Sequence, residues 1–173
     1  ARRINGVTAA GVWWPVALPQ GTTFTGSLAL SAPASQTTDL LAASPGAVQA
    51  MGLRMTAGSP LTAYENDTSQ HVAMIDPATA TALGISPARL ASRPAVFVDG
   101  IAYTVVGVYG SAQRVVTNES AMLIPETTAL ADFGNPQPGI GNQNEAQMVV
   151  ATRIGAAQAV ARQLAAAELP ADP

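Results

Sequence analysis

The chain has 173 residues with eight arginines, 11 carboxylates, one histidine and no cysteine, and its formal net charge is −3. An apolar content of 48% with so little net charge excludes a disordered chain. Eight dispersed basic residues in an acidic protein exclude a nucleic-acid interface that follows phosphates. Disulfides and cysteine-ligated metals are impossible, and the length fits one domain or two small lobes.

The chain start and the apolar runs bear on membrane association. No run approaches the ~20 apolar residues that a bilayer span requires, since Asp99 and Gly100 separate the longest candidates, 95–98 and 101–108. Residues 1–14 resemble a signal peptide, with two arginines and then apolar residues. Their apolar part breaks at Pro15 without a cleavage motif, so we interpret the sequence as starting within a mature chain.

The first third predicts strands followed by one short helix. Residues 4–16 are a β-prone run with a possible turn at Gly11, and residues 22–31 alternate as a strand. A helix follows in 44–52, because serine suits the N-cap, proline the first helical position and glycine the C-terminal stop. These three residues are Ser44, Pro45 and Gly52. Residues 53–57 resume as a strand.

The middle third predicts a polar loop, a strand, a helix and a hairpin. Residues 64–69 form the loop and 71–75 the strand. Asp76 then caps a short helix over 77–83. Asp99 and Gly100 between two apolar runs are a strong signal for a hairpin with a type I′ turn, whose strands are 95–98 and 101–109.

The last third predicts two strands, each followed by a helix. The first pair covers 121–124 and 126–132, and a loop rich in glycine, proline and asparagine follows over 133–144. The second covers 147–152 and 156–168. One face of the last helix is apolar, with Ala157, Val160, Ala161 and Leu164. The fold class is therefore α+β, with more strand than helix.

Candidate chemistry is sparse. His71 lies near Glu65 and Asp67 in sequence and could act as a general base or metal ligand. We favour the simpler interpretation, a strand-end histidine that reaches water or a backbone carbonyl, because one histidine without cysteine partners rarely makes a zinc site. Glu65, Asn66, Asp67 and Ser69 offer oxygens for calcium but lack the glycine and terminal glutamate of the common loop. We therefore expect no catalytic residue, cofactor or metal.

Trp13 and Trp14 are the candidate partner-binding residues. Neighbours on a strand face opposite sides, so one tryptophan is expected in the core and the other exposed to a partner. Burial of both between two lobes is the equal alternative.

Taken in order, six segments resemble the extracytoplasmic core domain of MacB/FtsX-type ABC transporter permeases. They include a serine-proline-glycine turn before a helix, a hairpin whose second strand reads Val-Val-Gly-Val, and a strand that closes on Ile-Pro. The segments are 4–18, 43–58, 71–84, 98–110, 121–125 and 148–170.

The resemblance implies a non-catalytic domain on the extracytoplasmic face of the membrane, between the first and second transmembrane helices of a permease. It implies two lobes: a porter-like α/β lobe from 1–57 with 121–173, and a β-rich lobe from 58–120. It also implies coupling of ATP-driven motion to export or mechanotransmission. The partners would be an ATP-binding subunit reached through the membrane helices, a second permease copy and a periplasmic or cell-surface protein, with no nucleic acid.

Two alternatives stay open. One is a secreted or surface binding module for peptide or envelope components, which transmembrane spans on both sides of the native sequence would argue against. The other is a hydrolase, which requires a polar cleft around His71.

Overall fold

The computed structural model describes residues 4–26, 34–35, 38–110, 120–136 and 145–168. The strands are β1 (Val7–Pro15), β2 (Phe24–Thr25), β3 (Ala34–Ser35), β4 (Asp39–Ala43), β5 (Met55–Gly58), β6 (Val72–Ile75), β7 (Ala95–Val98), β8 (Ile101–Tyr109), β9 (Ala121–Pro125) and β10 (Gln147–Thr152). The α-helices are α1 (Pro45–Met51), α2 (Ala63–Asp67), α3 (Pro77–Ala82), α4 (Glu126–Phe133) and α5 (Ala157–Glu168), and a 3-10 helix spans Pro87–Ser92.

The described strands form one mixed sheet in the order β10-β1-β4-β9-β6-β8-β7-β2-β3. Strand β5 lies outside this order and pairs with the C-terminal end of β8. The β4–β9 and β6–β8 pairs are parallel and the others antiparallel. Strands from both ends of the chain therefore lie at one end of the sheet. The central hairpin and the short strands β2 and β3 lie at the other.

Both faces of the central strands are buried. In β4, Leu40 and Ala42 belong to one core cluster, and Leu41 and Ala43 belong to the other. Helices α3 and α4 cover the first cluster, while α1 covers the second and packs against β1 and β10. This alternation follows from the two-residue period of a strand, and it explains why β6, β9 and the part of β4 after Asp39 are apolar.

The start of α1 is fixed by one hydroxyl. Ser44 is the N-cap, with Pro45 in the first turn and Gly52 left-handed at the C-terminal end, as the sequence predicts. Its Oγ accepts hydrogen bonds from the Ala47 amide at 3.3 Å and the Val12 amide at 2.9 Å, while its own amide donates to the Val12 carbonyl at 2.9 Å. The side chain thus continues the β1–β4 ladder where β4 turns into a helix.

The predicted turn at Gly11 is wrong. The residue lies inside the continuous strand β1. A Cβ there would overlap the Ala47 amide nitrogen and the Ser44 hydroxyl, so glycine serves to let α1 approach the strand.

The predicted loop over 64–69 is also wrong in its first part, which is helix α2. Thr62 caps it: its hydroxyl accepts from the Glu65 amide, while the Glu65 carboxylate accepts from the Thr62 amide at 2.7 Å. This capping box is readable in the sequence as Thr-x-x-Glu.

The other predicted helices and the hairpin are confirmed. Asp76 caps α3, and Asp99 and Gly100 have the positive φ angles, +48° and +86°, that a type I′ turn needs. Of the strand predicted over 22–31, only Phe24–Thr25 is strand in the described residues, and Leu28 and Leu30 lie outside them. On α5, Val160 is buried and Leu164 half-buried, but Ala157 and Ala161 are exposed.

Candidate functional site

Three polar side chains from three elements meet at the start of β6. The Tyr103 hydroxyl on β8 donates to Asp132 Oδ2 on α4 at 2.6 Å. His71 Nε2 lies 3.2 Å from Oδ1 and 3.1 Å from Oδ2 of the same carboxylate. The two rings lie 5.4 Å apart between centroids. The carboxylate therefore ties α4 to two neighbouring strands.

The chemistry of this group is that of a structural bridge. Burial, reinforced by the Asp132 carboxylate, raises the pKa of Tyr103 far above its usual value, so its hydroxyl remains a donor. No hydroxyl among the described residues is hydrogen-bonded to His71, which differs from the arrangement of a nucleophile with its base. The partner of His71 is Asp132, 61 positions away, rather than Glu65 or Asp67.

A second polar junction joins β6 to β9. Asp76 is buried; its Oδ1 accepts from the Thr79 amide at 2.6 Å and its Oδ2 from the Ala121 amide. Nearby, the Tyr109 hydroxyl donates to the Ala121 carbonyl at 3.1 Å. Burial, with a smaller contribution from the Asp76 charge, raises the pKa of Tyr109 well above its usual value. The side chain that caps α3 therefore also joins the end of β6 to β9.

The residues considered for calcium lie on α2 and the turn after it. Glu65 is occupied by the capping box, and Asn66 Nδ2 donates to Glu126 Oε1 at 3.5 Å. Burial raises the pKa of Glu126 and the charge of Asp67 adds to this, while the Asn66 hydrogen bond lowers it. In the described parts of the chain, no group of three or more histidine and carboxylate side chains is arranged to hold a metal ion.

The two tryptophans face opposite sides of the sheet. Trp14 is 4% exposed and belongs to the core cluster under α3 and α4. Trp13 is half-buried and packs against the cluster under α1. The assignment of this pair to a partner surface stays a prediction, and Trp13 is the member with surface to offer.

A cleft of about 590 Å³ opens between the start of β6, the middle of β8, α2 and the 3-10 helix. His71 and Arg93 line it, and Thr104, Val105 and Val106 contribute from β8. A polar cleft around His71 is what the hydrolase alternative requires, but no hydroxyl among the described residues is hydrogen-bonded to this histidine. The other walls of the cleft come from segments far apart in sequence.

The first and last strands of the described chain are neighbours in the sheet. Strands β1 and β10 pair antiparallel with Val7 opposite Thr152, and the Arg153 amide donates to the Gly6 carbonyl at 2.8 Å. In the part of the chain that the structure describes, no helix has both the length and the apolar character to cross a bilayer.

The chain was compared with known families and structures. The model of one family, described as the MacB-like periplasmic core domain, matches residues 4–167. No curated protein matches the sequence significantly.

Solved structures with the same fold include the periplasmic region of MacB from Actinobacillus actinomycetemcomitans, with a TM-score of 0.67 at 15% identity. This match covers 94% of the chain and 66% of that region, so the chain spans just under two thirds of its length. The extracellular domain of the noncanonic ABC-type transporter YknZ from Gram-positive bacteria has a TM-score of 0.65 at 16% identity, covering 96% of the chain and 79% of that domain. A domain of a putative permease from Porphyromonas gingivalis has a TM-score of 0.56 at 20% identity, covering 95% and 66%.

The likenesses to solved structures confirm the α+β class, and the family match confirms the resemblance found in the sequence. With the family match over nearly its whole length, the chain belongs to the MacB-like periplasmic core domain family and is the extracytoplasmic core domain of a MacB-like ABC transporter permease.

Proposed function

We propose that this domain is inserted between the first two transmembrane helices of its permease and carries ATP-driven motion outward, for export or mechanotransmission. The observation that carries the proposal is the pairing of β1 with β10, which brings the incoming and outgoing chain together at Val7 and Thr152. Paired strand residues lie about 5 Å apart between Cα atoms, so two consecutive membrane helices can hold the domain at one edge.

The unbroken sheet supports transmission over the length of the domain. Hydrogen-bonded strands lead from β10 at the attached edge to β2 and β3 at the far end. The central strands are buried on both faces, and close-packed interiors move as units rather than deforming continuously. A displacement applied at the β1–β10 edge is then delivered to the distal strands.

The proposed lobes, 1–57 with 121–173 and 58–120, meet where β5 pairs with β8 and, at the centre of the sheet, where β6 pairs with β9. In the second of these pairings, only Met74 pairs with Leu123 and Ile75 with Met122. Side-chain hydrogen bonds cross the same boundary: Asp76 accepts from the Ala121 amide, and Asp132 is bonded to His71. We place β2 and β3 with the second lobe, because β2 pairs with β7 and β3 pairs with β2. These hydrogen bonds favour lobes that move together.

The proposed partners follow from this role. They are an ATP-binding subunit, reached through the membrane helices, a second copy of the permease and a partner protein outside the membrane. The domain itself is proposed to be non-catalytic, since its titratable clusters are engaged in joining strands and helices.

A deletion in the assembled permease tests the proposal. Residues 7–152 are replaced by a short Gly/Ser linker, which the adjacent strand ends allow without pulling the membrane helices apart. We expect ATP hydrolysis to persist and the cargo transport or partner activation measured outside the membrane to be lost. A control carries the same linker before residue 4 with the domain kept. Full transport by the deletion variant would contradict the proposal, as would a native gene without a transmembrane span on each side.

A further inference from the structure

The cleft beside His71 is lined by one arginine, Arg93, whose side chain carries a positive charge. Of its three charged or titratable lining residues, Glu65 already uses Oε2 to accept from both the amide and the hydroxyl of Thr62, at 2.7 and 2.8 Å. Arg93 makes no salt bridge with any residue in the described ranges. An exposed guanidinium in a concave site is a ready partner for a carboxylate, which it can hold through two parallel hydrogen bonds.

His71 offers a second polar contact in the cleft. Asp132 accepts from His71 Nε2, which leaves Nδ1 of the ring without a hydrogen-bond partner among the described residues. When Nε2 carries the proton of a neutral ring, Nδ1 is an acceptor. The cleft therefore offers a cation and an acceptor for an N–H or O–H group, and Val72, Leu90 and Val106 add apolar lining.

The backbone of Arg93 is in a conformation that arginine disfavours. It ends the 3-10 helix with φ +50° and ψ +61°, in the left-handed region. Such a conformation is strained for a non-glycine residue, and glycine or asparagine relieves the strain. Glycine or asparagine would suit this turn better than arginine. We therefore look for a function in the side chain of Arg93.

We propose that this cleft binds the carboxyl terminus of a peptide, with Arg93 holding the carboxylate and His71 Nδ1 accepting from the adjacent amide. The apolar lining suits small aliphatic side chains. The inference goes beyond the transmission of motion and does not depend on coupling to ATP hydrolysis.

The single histidine gives the proposal a direct readout. The 173-residue chain is titrated with N-acetyl-Ala-Ala and, separately, with the same peptide as its C-terminal amide, and the His71 ring signals are followed by NMR. We expect saturable shifts with the free acid and at least about tenfold weaker binding of the amide, the loss expected for a charge-assisted hydrogen bond. Equal binding of the two peptides, or no shift with the acid, would overturn the proposal.

Two arginine substitutions distinguish binding in the cleft from a general effect of positive charge on the surface. Arg93→Gln is expected to weaken the free acid about tenfold, whereas Arg89→Gln, an exposed charge on the same 3-10 helix that does not line the cleft, leaves binding unchanged. Arg93→Gly should raise the melting temperature while abolishing binding, an opposition that a purely structural arginine would not produce. Equal losses from Arg89→Gln and Arg93→Gln would refute the assignment.

Discussion

The Ser44 hydroxyl accepts hydrogen bonds from two backbone amides. Its removal therefore tests what holds the start of α1 against β1. In Ser44→Ala the Ala47 amide loses its cap, which costs about 1 kcal/mol. The Val12 amide also loses its 2.9 Å bond, and because that bond is only partly buried this adds about 1 to 2 kcal/mol. The expected loss in the free energy of unfolding is therefore about 2 to 3 kcal/mol.

The chain contains its own control for this substitution. Ser86 also stands before a proline at the start of a helix, but its side chain makes no capping hydrogen bond. Thermal unfolding followed by circular dichroism should show Ser44→Ala melting roughly 5 to 10 °C lower, with Ser86→Ala within about 0.5 kcal/mol of the parent. Equal effects of the two substitutions would refute the shared-hydroxyl argument.

Four further predictions concern the turn, two titratable groups with raised pKa values and the oligomeric state. Gly100→Val should destabilise the domain by about 1 to 2 kcal/mol or more in chemical denaturation, because a β-branched residue resists φ +86°; Gly110→Ala, whose added Cβ meets only ordinary contacts, is the control, and equal stability of the two would contradict the turn assignment. The pKa of Glu126 is raised above 4.5, so its stabilising contribution is present below that pH and lost as the pH rises through the folded-state pKa; Glu126→Gln should raise the melting temperature at pH 7, with the gain vanishing towards pH 4, and a gain that is constant with pH would be inconsistent with this. The raised pKa of Tyr109 gives stability that is present below the unfolded value of 10.0 and lost above it, so Tyr109→Phe should flatten the fall in stability above that pH, and an unchanged slope would count against its burial. The isolated domain should sediment as a monomer at micromolar concentration in analytical ultracentrifugation, since we propose that the permease pairs mainly through its membrane helices, and a tight dimer would refute this.

Local signals in the sequence predict much of the secondary structure. Helix α1 and the hairpin depend on residues adjacent in the chain, such as Ser44 before Pro45 and Asp99 before Gly100, so their patterns are readable without the fold. The missed helix α2 has an equally local signal in its capping box. It was hidden by the polar composition of the segment, which also suits a loop.

The contacts that join distant segments could not be predicted in this way. The Asp132 carboxylate reaches His71 from 61 residues away, and nothing in the spacing indicates the pair. Gly11 reads as a turn because its purpose, the close approach of α1, exists only in the folded state. The cleft is likewise a product of sheet order, since Arg93 and His71 become its walls only when β6 pairs with β8.

The order of folding motifs carries more information than any one of them. The serine-proline-glycine helix start and the Val-Val-Gly-Val strand are each common, yet their sequence along the chain indicates the permease family that the match over residues 4–167 shows. Composition contributes the complementary fact that only 11% of the residues are charged.

The central claim is that the domain moves as a rigid body when the permease binds ATP. Because the chain has no cysteine, labels can be placed at Ala82→Cys on α3 and Gln158→Cys on α5, both exposed positions. Pulsed EPR on the reconstituted permease, with its ATP-binding subunit, then measures two distances. We predict that the distance between the Ala82 labels of two copies changes on ATP binding, while the distance from Ala82 to Gln158 within one copy does not. An inter-copy distance that is identical with and without ATP, in a permease that hydrolyses it, would contradict the account.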